Sequence, residues 1–262
     1  MTDTLLTCDI EKITADIIKD YYGDICFYDF PIDIRKIAEE YLKLNIIYDN
    51  LSDDGRVLGV TAYQSTQIKL RRNGKFDIVP LPEKTALIEE ELLRGKNNIG
   101  RHRFTVAHEC SHQILYRLFR NQVEYSFRII EEGKAYTARQ IGQAANWSER
   151  KANELAAALL MPVPMLKELT YNFSLNEIKV YGGDKMIPKD KKTFSAAADF
   201  TGVSRQALLI RLKQFKFLDM RPISEYPKIT GLTIHKEDEE DDENIHRGCD
   251  FPRNPRQDTK IA

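Results

Sequence analysis

Residues 101–120 read RHRFTVAHECSHQILYRLFR, and the five at their centre, His108-Glu109-Cys110-Ser111-His112, decide how the rest of the chain is read. Two histidines four positions apart on a helix lie about 40° apart around its axis, one turn above the other. Both imidazoles can therefore reach one metal ion. Glu109 follows the first histidine and is displaced by about 100° around the helix, where a carboxylate can act as a base without occupying the metal itself. This is the H-E-x-x-H arrangement of zinc peptidases. It makes His108 and His112 candidate metal ligands and Glu109 the candidate catalytic residue.

Working outward from that helix, Ile114, Leu115, Leu118 and Phe119 continue it on the C-terminal side. On the N-terminal side stand short β-prone runs: Asn45–Tyr48, Val57–Tyr63, Gln67–Leu70, Phe76–Val79 and Thr85–Glu89. Asn73-Gly74 between two of them is a hairpin signal. A small, largely antiparallel sheet is therefore expected before the metal helix. Earlier still, Ile10, Ile13, Ile17 and Ile18 predict an amphipathic helix over Asp9–Tyr22, stopped by Gly23, and a second helix fits Pro31–Leu42. Beyond the motif, Asn121–Gln143 is polar and reads as helix or loop. From Ser148, a fair N-cap, a helix runs to Met161, and Pro162 and Pro164 end it. Asn172–Lys192, with Gly182-Gly183 and several lysines, reads as an exposed loop or insertion. Then SAAADFTGVSRQALLIRLKQF forms a helix-turn-helix-like pair over 194–217, with Ser204 capping its second helix.

Composition restricts the classes. The chain has 262 residues, 42% of them hydrophobic, enough for a sizeable core. Cys8, Cys26, Cys110 and Cys249 form no C-x-x-C pair, which argues against a disulfide framework and a zinc knuckle. No signal-peptide pattern and no run of 18 apolar residues is present, so a cytoplasmic protein without membrane contact is expected. The net charge of −1 conceals seven consecutive acids, Glu237–Glu243; without them 33 acidic residues face 39 basic ones. A mildly basic body with a polar, acidic tail from 229 to 262 is the expectation, the tail lying outside the fold.

Catalytic zinc takes three protein ligands and leaves one position open. Leu118 stands where a metzincin would carry its third histidine, so that class is excluded. His102 lies about 120° off the face of His108, and His235 and His246 sit beside the acidic run. A carboxylate from a second buried helix remains. Glu149 is best placed, since it opens an otherwise apolar helix where an unpaired carboxylate would be costly. Glu154 competes from nearly the opposite side of that helix, and Glu131 and Glu132 from the polar stretch. Asn153 shares the face of Glu149 and can hydrogen-bond the second nitrogen of a ligand imidazole, fixing its tautomer. Tyr116 and Tyr136 are candidate oxyanion donors.

The order FTVAHECSHQILY, WSERKANELAAALLMP, FTGVSRQALLIRL, preceded by PIDIRKIAEEYLKLNI, resembles the ImmA/IrrE family of metallo-endopeptidases over about residues 31–215. Its specific part is the pairing of A-H-E-x-x-H with E-x-x-A-N. The resemblance implies a zinc-dependent protease that cleaves a helix-turn-helix repressor. By position, His108 and His112 match the histidine ligands, Glu109 the catalytic glutamate and Glu149 the third ligand. The chain departs from the pattern at Tyr116, where histidine is common, and at Leu155, where phenylalanine is common.

The expected fold is α+β: a small sheet packed against the H-E-x-x-H helix, then a mainly helical half. The expected organisation is an N-terminal helical extension (1–30), a metallopeptidase domain (31–228) and the tail. The expected function is Zn2+-dependent cleavage of a protein substrate, a cytoplasmic regulator. The alternative is a metal-binding regulatory or sensor module that binds a transcription factor without cutting it. Direct nucleic-acid binding is not expected, because structural helical hairpins share the features of the pair.

Overall fold

The computed structural model describes residues 5–23, 30–52, 55–72, 74–94, 99–120, 136–137 and 146–227. The sequence expectations for 121–143, residues 136–137 apart, and for 229–262 lie outside these residues, and with them Glu131, Glu132, His235, His246 and the acidic run.

The architecture is α+β, as expected. Helix α1 (Thr7–Tyr22) buries Ile10, Thr14, Ile17 and Ile18 and stops at Gly23, whose φ is 73°. The second helix begins later than Pro31, because the Asp33 side chain accepts from Lys36 N and so sets the cap. It runs as α2 (Ile34–Lys36) and widens at once into a π-turn, Ile37–Tyr41.

Five strands follow: β1 (Asn45–Asp49), β2 (Gly59–Ala62), β3 (Thr66–Arg72), β4 (Lys75–Leu81) and β5 (Thr85–Glu89). The first sheet has the order β1-β5-β2. β5 is central and buried at all five residues. It runs parallel to β1 (Asn45↔Thr85 to Asp49↔Glu89) and antiparallel to β2 (Gly59↔Ile88 to Ala62↔Thr85). The parallel pair is possible because β2 to β4 supply the long crossover that parallel strands need. β3 and β4 pair from Thr66↔Leu81 to Arg72↔Lys75, with Gly74 at φ 75° in the turn the sequence signalled. The short β6 (Tyr136–Thr137) lies beside β3.

Strand alternation divides the core in two. Leu87 of β5, with Val60 and Ala62 of β2, faces the hairpin residues Ile68, Leu70 and Leu81, whereas Ile88 belongs to the larger core of the helices. By the same alternation Gly59 and Thr61 face the other way, towards α3 (Ile99–Leu118). α3 packs mainly on α4 (Asn146–Leu160). Small residues make that approach close: Ala107, Cys110 and Ser111 on α3 and Ala152 and Ala156 on α4 are fully buried. Cys110 is core, as expected. α1 contributes Ile10, Ile17 and Ile18 to the same core.

α5 (Val163–Asn172) follows the prolines. The stretch read as an exposed loop up to Lys192 instead holds strand β7 (Lys179–Tyr181), paired parallel with β8 (Asp219–Arg221), and the start of α6 (Pro188–Thr201). The lysines drew the reading outward, but Ile178, Val180 and Tyr181 are buried and carry the strand. α6 and α7 (Arg205–Gln214) form the expected pair, with Gly202 in the left-handed region and the Ser204 hydroxyl accepting from Ala207 N. Their turn is docked on the start of α3. Arg103 donates to Gly202 O at 3.0 Å and to Ile32 O at 2.6 Å, and a side chain on Gly100 would meet Ser204 N at 3.0 Å. Arg211 of α7, 2% exposed, donates to both carboxylate oxygens of Glu11 and to Met161 O, tying α7 to α1 and to the end of α4. Among the described residues no helix is long and apolar enough to cross a membrane.

Candidate metal centre

Successive faces of α3 do different work. His108 and His112, an i, i+4 pair, face α4, where Glu149 and Asn153 form the matching i, i+4 pair. Glu109 and Gln113 form the next pair round and face β2. Gln113 Nε2 donates to Thr61 Oγ1 and to Ala62 O, both at 2.8 Å, which fixes the strand against the helix.

The donor atoms converge. His108 Nε2 and His112 Nε2 are 3.0 Å apart, and each lies 3.2 Å from one oxygen of Glu149. Tetrahedral zinc with bonds of about 2.0–2.1 Å sets neighbouring ligand atoms about 3.3 Å apart, so the three donors already have the spacing such an ion needs. Their chemistry agrees: two neutral imidazoles and two nearby carboxylates balance a divalent cation. His108, His112 and Glu149 could hold a metal ion. Partial burial opposes ionisation of Glu149, but its hydrogen bonds with His108 and His112 outweigh that and hold its carboxyl down at about 2. Burial disfavours a charged His108, yet Glu149, Glu109 and Asn153 together leave its pKa raised.

Each imidazole is gripped at its far nitrogen. Asn153 Oδ1 lies 3.1 Å from His108 Nδ1, the partnership expected for Asn153. For His112 Nδ1 the partners are Tyr63 Oη at 3.2 Å and Ser148 Oγ at 3.3 Å. Ser148 was expected to cap α4; the helix instead begins at Asn146, so Ser148 falls in its first turn and turns its hydroxyl inward.

Glu109 is 4% exposed and stands beside the donor set rather than in it. Burial raises its carboxyl above the ordinary carboxylate range, against the pull of His108 and His112. β2 approaches it so closely that a Cβ on Gly59 would come within 2.5 Å of Glu109 Oε1. Tyr63 follows β2 directly. Burial, with the nearby charges of Glu109 and Glu149, pushes its phenol well above the usual range, so it stays protonated.

The remaining candidates lie elsewhere. His102 pairs with Tyr48 Oη at 3.0 Å, away from the donor set, and Glu154 pairs with Lys151 at 2.9 Å. Tyr116 stacks on Tyr63 with ring centroids 4.4 Å apart. Of Tyr136 only the backbone, in β6, is described. Sequence reading missed Tyr63, Ser148 as a site residue, and Gly59. Gly59 carried a signal, being a glycine inside a strand pattern, which marks close backbone approach; Tyr63 carried none.

Residues 92–213, which include α3, α4 and α6, match the sequence model of the Peptidase_M78 family, described as the IrrE N-terminal-like domain. No curated protein matches the chain. A matching family, an H-E-x-x-H helix and a third donor brought to it by α4 lead to one conclusion: at residues 92–213 the chain carries a metallopeptidase domain of the ImmA/IrrE type.

Proposed function

We propose that the protein is a zinc-dependent endopeptidase that hydrolyses one peptide bond in a cytoplasmic regulator, a helix-turn-helix transcriptional repressor. The observation that carries the reading is the buried Glu109 carboxylate standing beside, and outside, the converging donors of His108, His112 and Glu149. A site that only stored or sensed metal would have no use for a buried base there. When bound, the metal supplies Lewis acidity, polarising the scissile carbonyl and acidifying the attacking water. Glu109 takes the proton from that water and returns it to the leaving amine. His108, His112 and Glu149 hold the ion, and Asn153, Tyr63 and Ser148 orient the two rings.

A peptide substrate is supported by β2. It is the outer strand of its sheet among the described residues and lies against Glu109. An extended chain can add to such an edge through main-chain hydrogen bonds. The repressor as substrate rests on the likeness to the ImmA/IrrE family. The docked turn of α6 and α7 and the buried Arg211 support a structural role for that pair rather than DNA reading.

The test is incubation of the zinc-loaded protein with a proteome-derived peptide library and with helix-turn-helix repressors, the products being weighed by mass spectrometry. Glu109→Gln should retain zinc and lose cleavage, and His112→Ala should lose both. Full proteolysis by the Gln variant would sink the mechanism. Tight repressor binding without any product would favour the sensor reading instead.

A further inference from the structure

We propose that Tyr63 is a positioning residue for the metal ligand His112, acting with Ser148 and held in place by Tyr116. The inference rests on the metal-site reading above and adds residues to it. When Nε2 of a histidine faces a metal, its Nδ1 carries the proton and needs an acceptor, usually a carboxylate, a backbone carbonyl or water. His108 has Asn153 Oδ1 for this. Among the described residues no carboxylate meets the Nδ1 of His112. Its Nδ1 is flanked by two hydroxyl oxygens, Tyr63 Oη at 3.2 Å and Ser148 Oγ at 3.3 Å. A hydroxyl oxygen is an acceptor as well as a donor, so either can take the Nδ1 proton.

The phenol is held there from two sides. Along the chain, Tyr63 directly follows β2, whose end is anchored to α3 by the Gln113 hydrogen bond to Ala62 O. Across the fold, its ring lies nearly parallel to that of Tyr116, 13° between planes and 4.4 Å between centroids. Tyr116 sits one helical turn beyond His112, so one helix presents both the ligand and the wall that steadies its partner. This gives a physical reason for a tyrosine at 116. An aromatic face is needed there, and a second imidazole beside His112 is not. The acceptors are neutral hydroxyls, so they orient the ring without adding a third carboxylate to a centre that already holds Glu109 and Glu149.

The experiment measures metal, not cleavage. Zinc affinity of the full-length protein is read by competition with a chromophoric chelator, and the geometry by the visible spectrum after cobalt(II) substitution. Tyr63→Phe keeps the stacked ring and removes only the hydroxyl; it should weaken zinc binding about tenfold, and Tyr63→Phe with Ser148→Ala about a hundredfold, the range typical of lost ligand-orienting partners. The cobalt bands should shift in both. Tyr116→Leu, which keeps the Tyr63 and Ser148 hydroxyls but removes the wall, should give a smaller loss. Unchanged affinity and an unchanged cobalt spectrum in the double variant would overturn the role of Tyr63 while leaving the metallopeptidase reading intact. A wild-type protein that takes up neither ion would overturn that reading as well.

Discussion

Replacing Gly59 by alanine should cost about a hundredfold in turnover while leaving the metal in place. The added Cβ would lie 2.5 Å from Glu109 Oε1, 2.9 Å from Thr105 Cγ2 and 3.0 Å from Glu109 Cδ. Comfortable carbon contacts begin at about 3.5 Å, so something must yield by roughly an ångström. The strand cannot easily yield. β2 is paired to β5 along its length, and Gln113 pins Thr61 and Ala62 to α3. Thr105 is fixed within α3, where its hydroxyl donates to Arg101 O. The Glu109 carboxylate is the freest of the three groups, and on the proposed mechanism it is the group that must meet the proton. Misplacing a reacting group by about an ångström costs on the order of 10²-fold, equivalent to about 2.7 kcal/mol of transition-state stabilisation. The overpacking should also lower stability by about 1–3 kcal/mol. The assay is turnover of a peptide that the wild-type protein cleaves, with zinc content and denaturant unfolding measured on the same samples. The signature is lost kcat with zinc retained. An alanine variant with wild-type turnover and wild-type stability would refute the close packing of β2 on the base.

Other consequences follow from the same contacts. Arg211→Ala leaves Glu11 and Met161 O without their partner in a buried setting, so stability should fall by about 3–5 kcal/mol in a denaturant titration. Arg211→Met with Glu11→Leu should recover most of that loss, and failure to recover any would show that the pair does more than satisfy itself. Removing the Ser204 cap with alanine should cost about 1 kcal/mol, measured the same way. Burial and the neighbouring Glu109 push the Cys110 thiol well up, so it should resist alkylation in the native protein while the exposed Cys8 reacts; mapping the modified peptides before and after unfolding checks it.

Much of this centre was legible along the chain because it is built from i, i+4 pairs. His108 with His112 and Glu149 with Asn153 declare themselves by helical spacing, which is local information. The same holds for the hairpin at Gly74 and for Cys110 as core, since periodicity reports which side of an element is buried. The lysine-rich run up to Lys192 misled because charge density was read ahead of the buried Ile178, Val180 and Tyr181. Ser148 misled because its helix starts two residues earlier, turning an expected cap into a side chain that faces His112.

What the sequence by itself determined, then, was the ligand chemistry, the element types around it and the face of each helix that carries a donor. Tertiary structure decided which elements meet. The contact of Tyr63 with His112 spans 49 positions, and that of Ser148 with His112 spans 36. The approach of Gly59 to Glu109 depends on the strand order β1-β5-β2, which places β2 against α3. No spacing rule reaches across such separations. They are set by how two layers pack once small residues on α3 and α4 let the helices close, and by the alternation that sends Val60 and Ala62 to one core and leaves Gly59 and Thr61 facing the site.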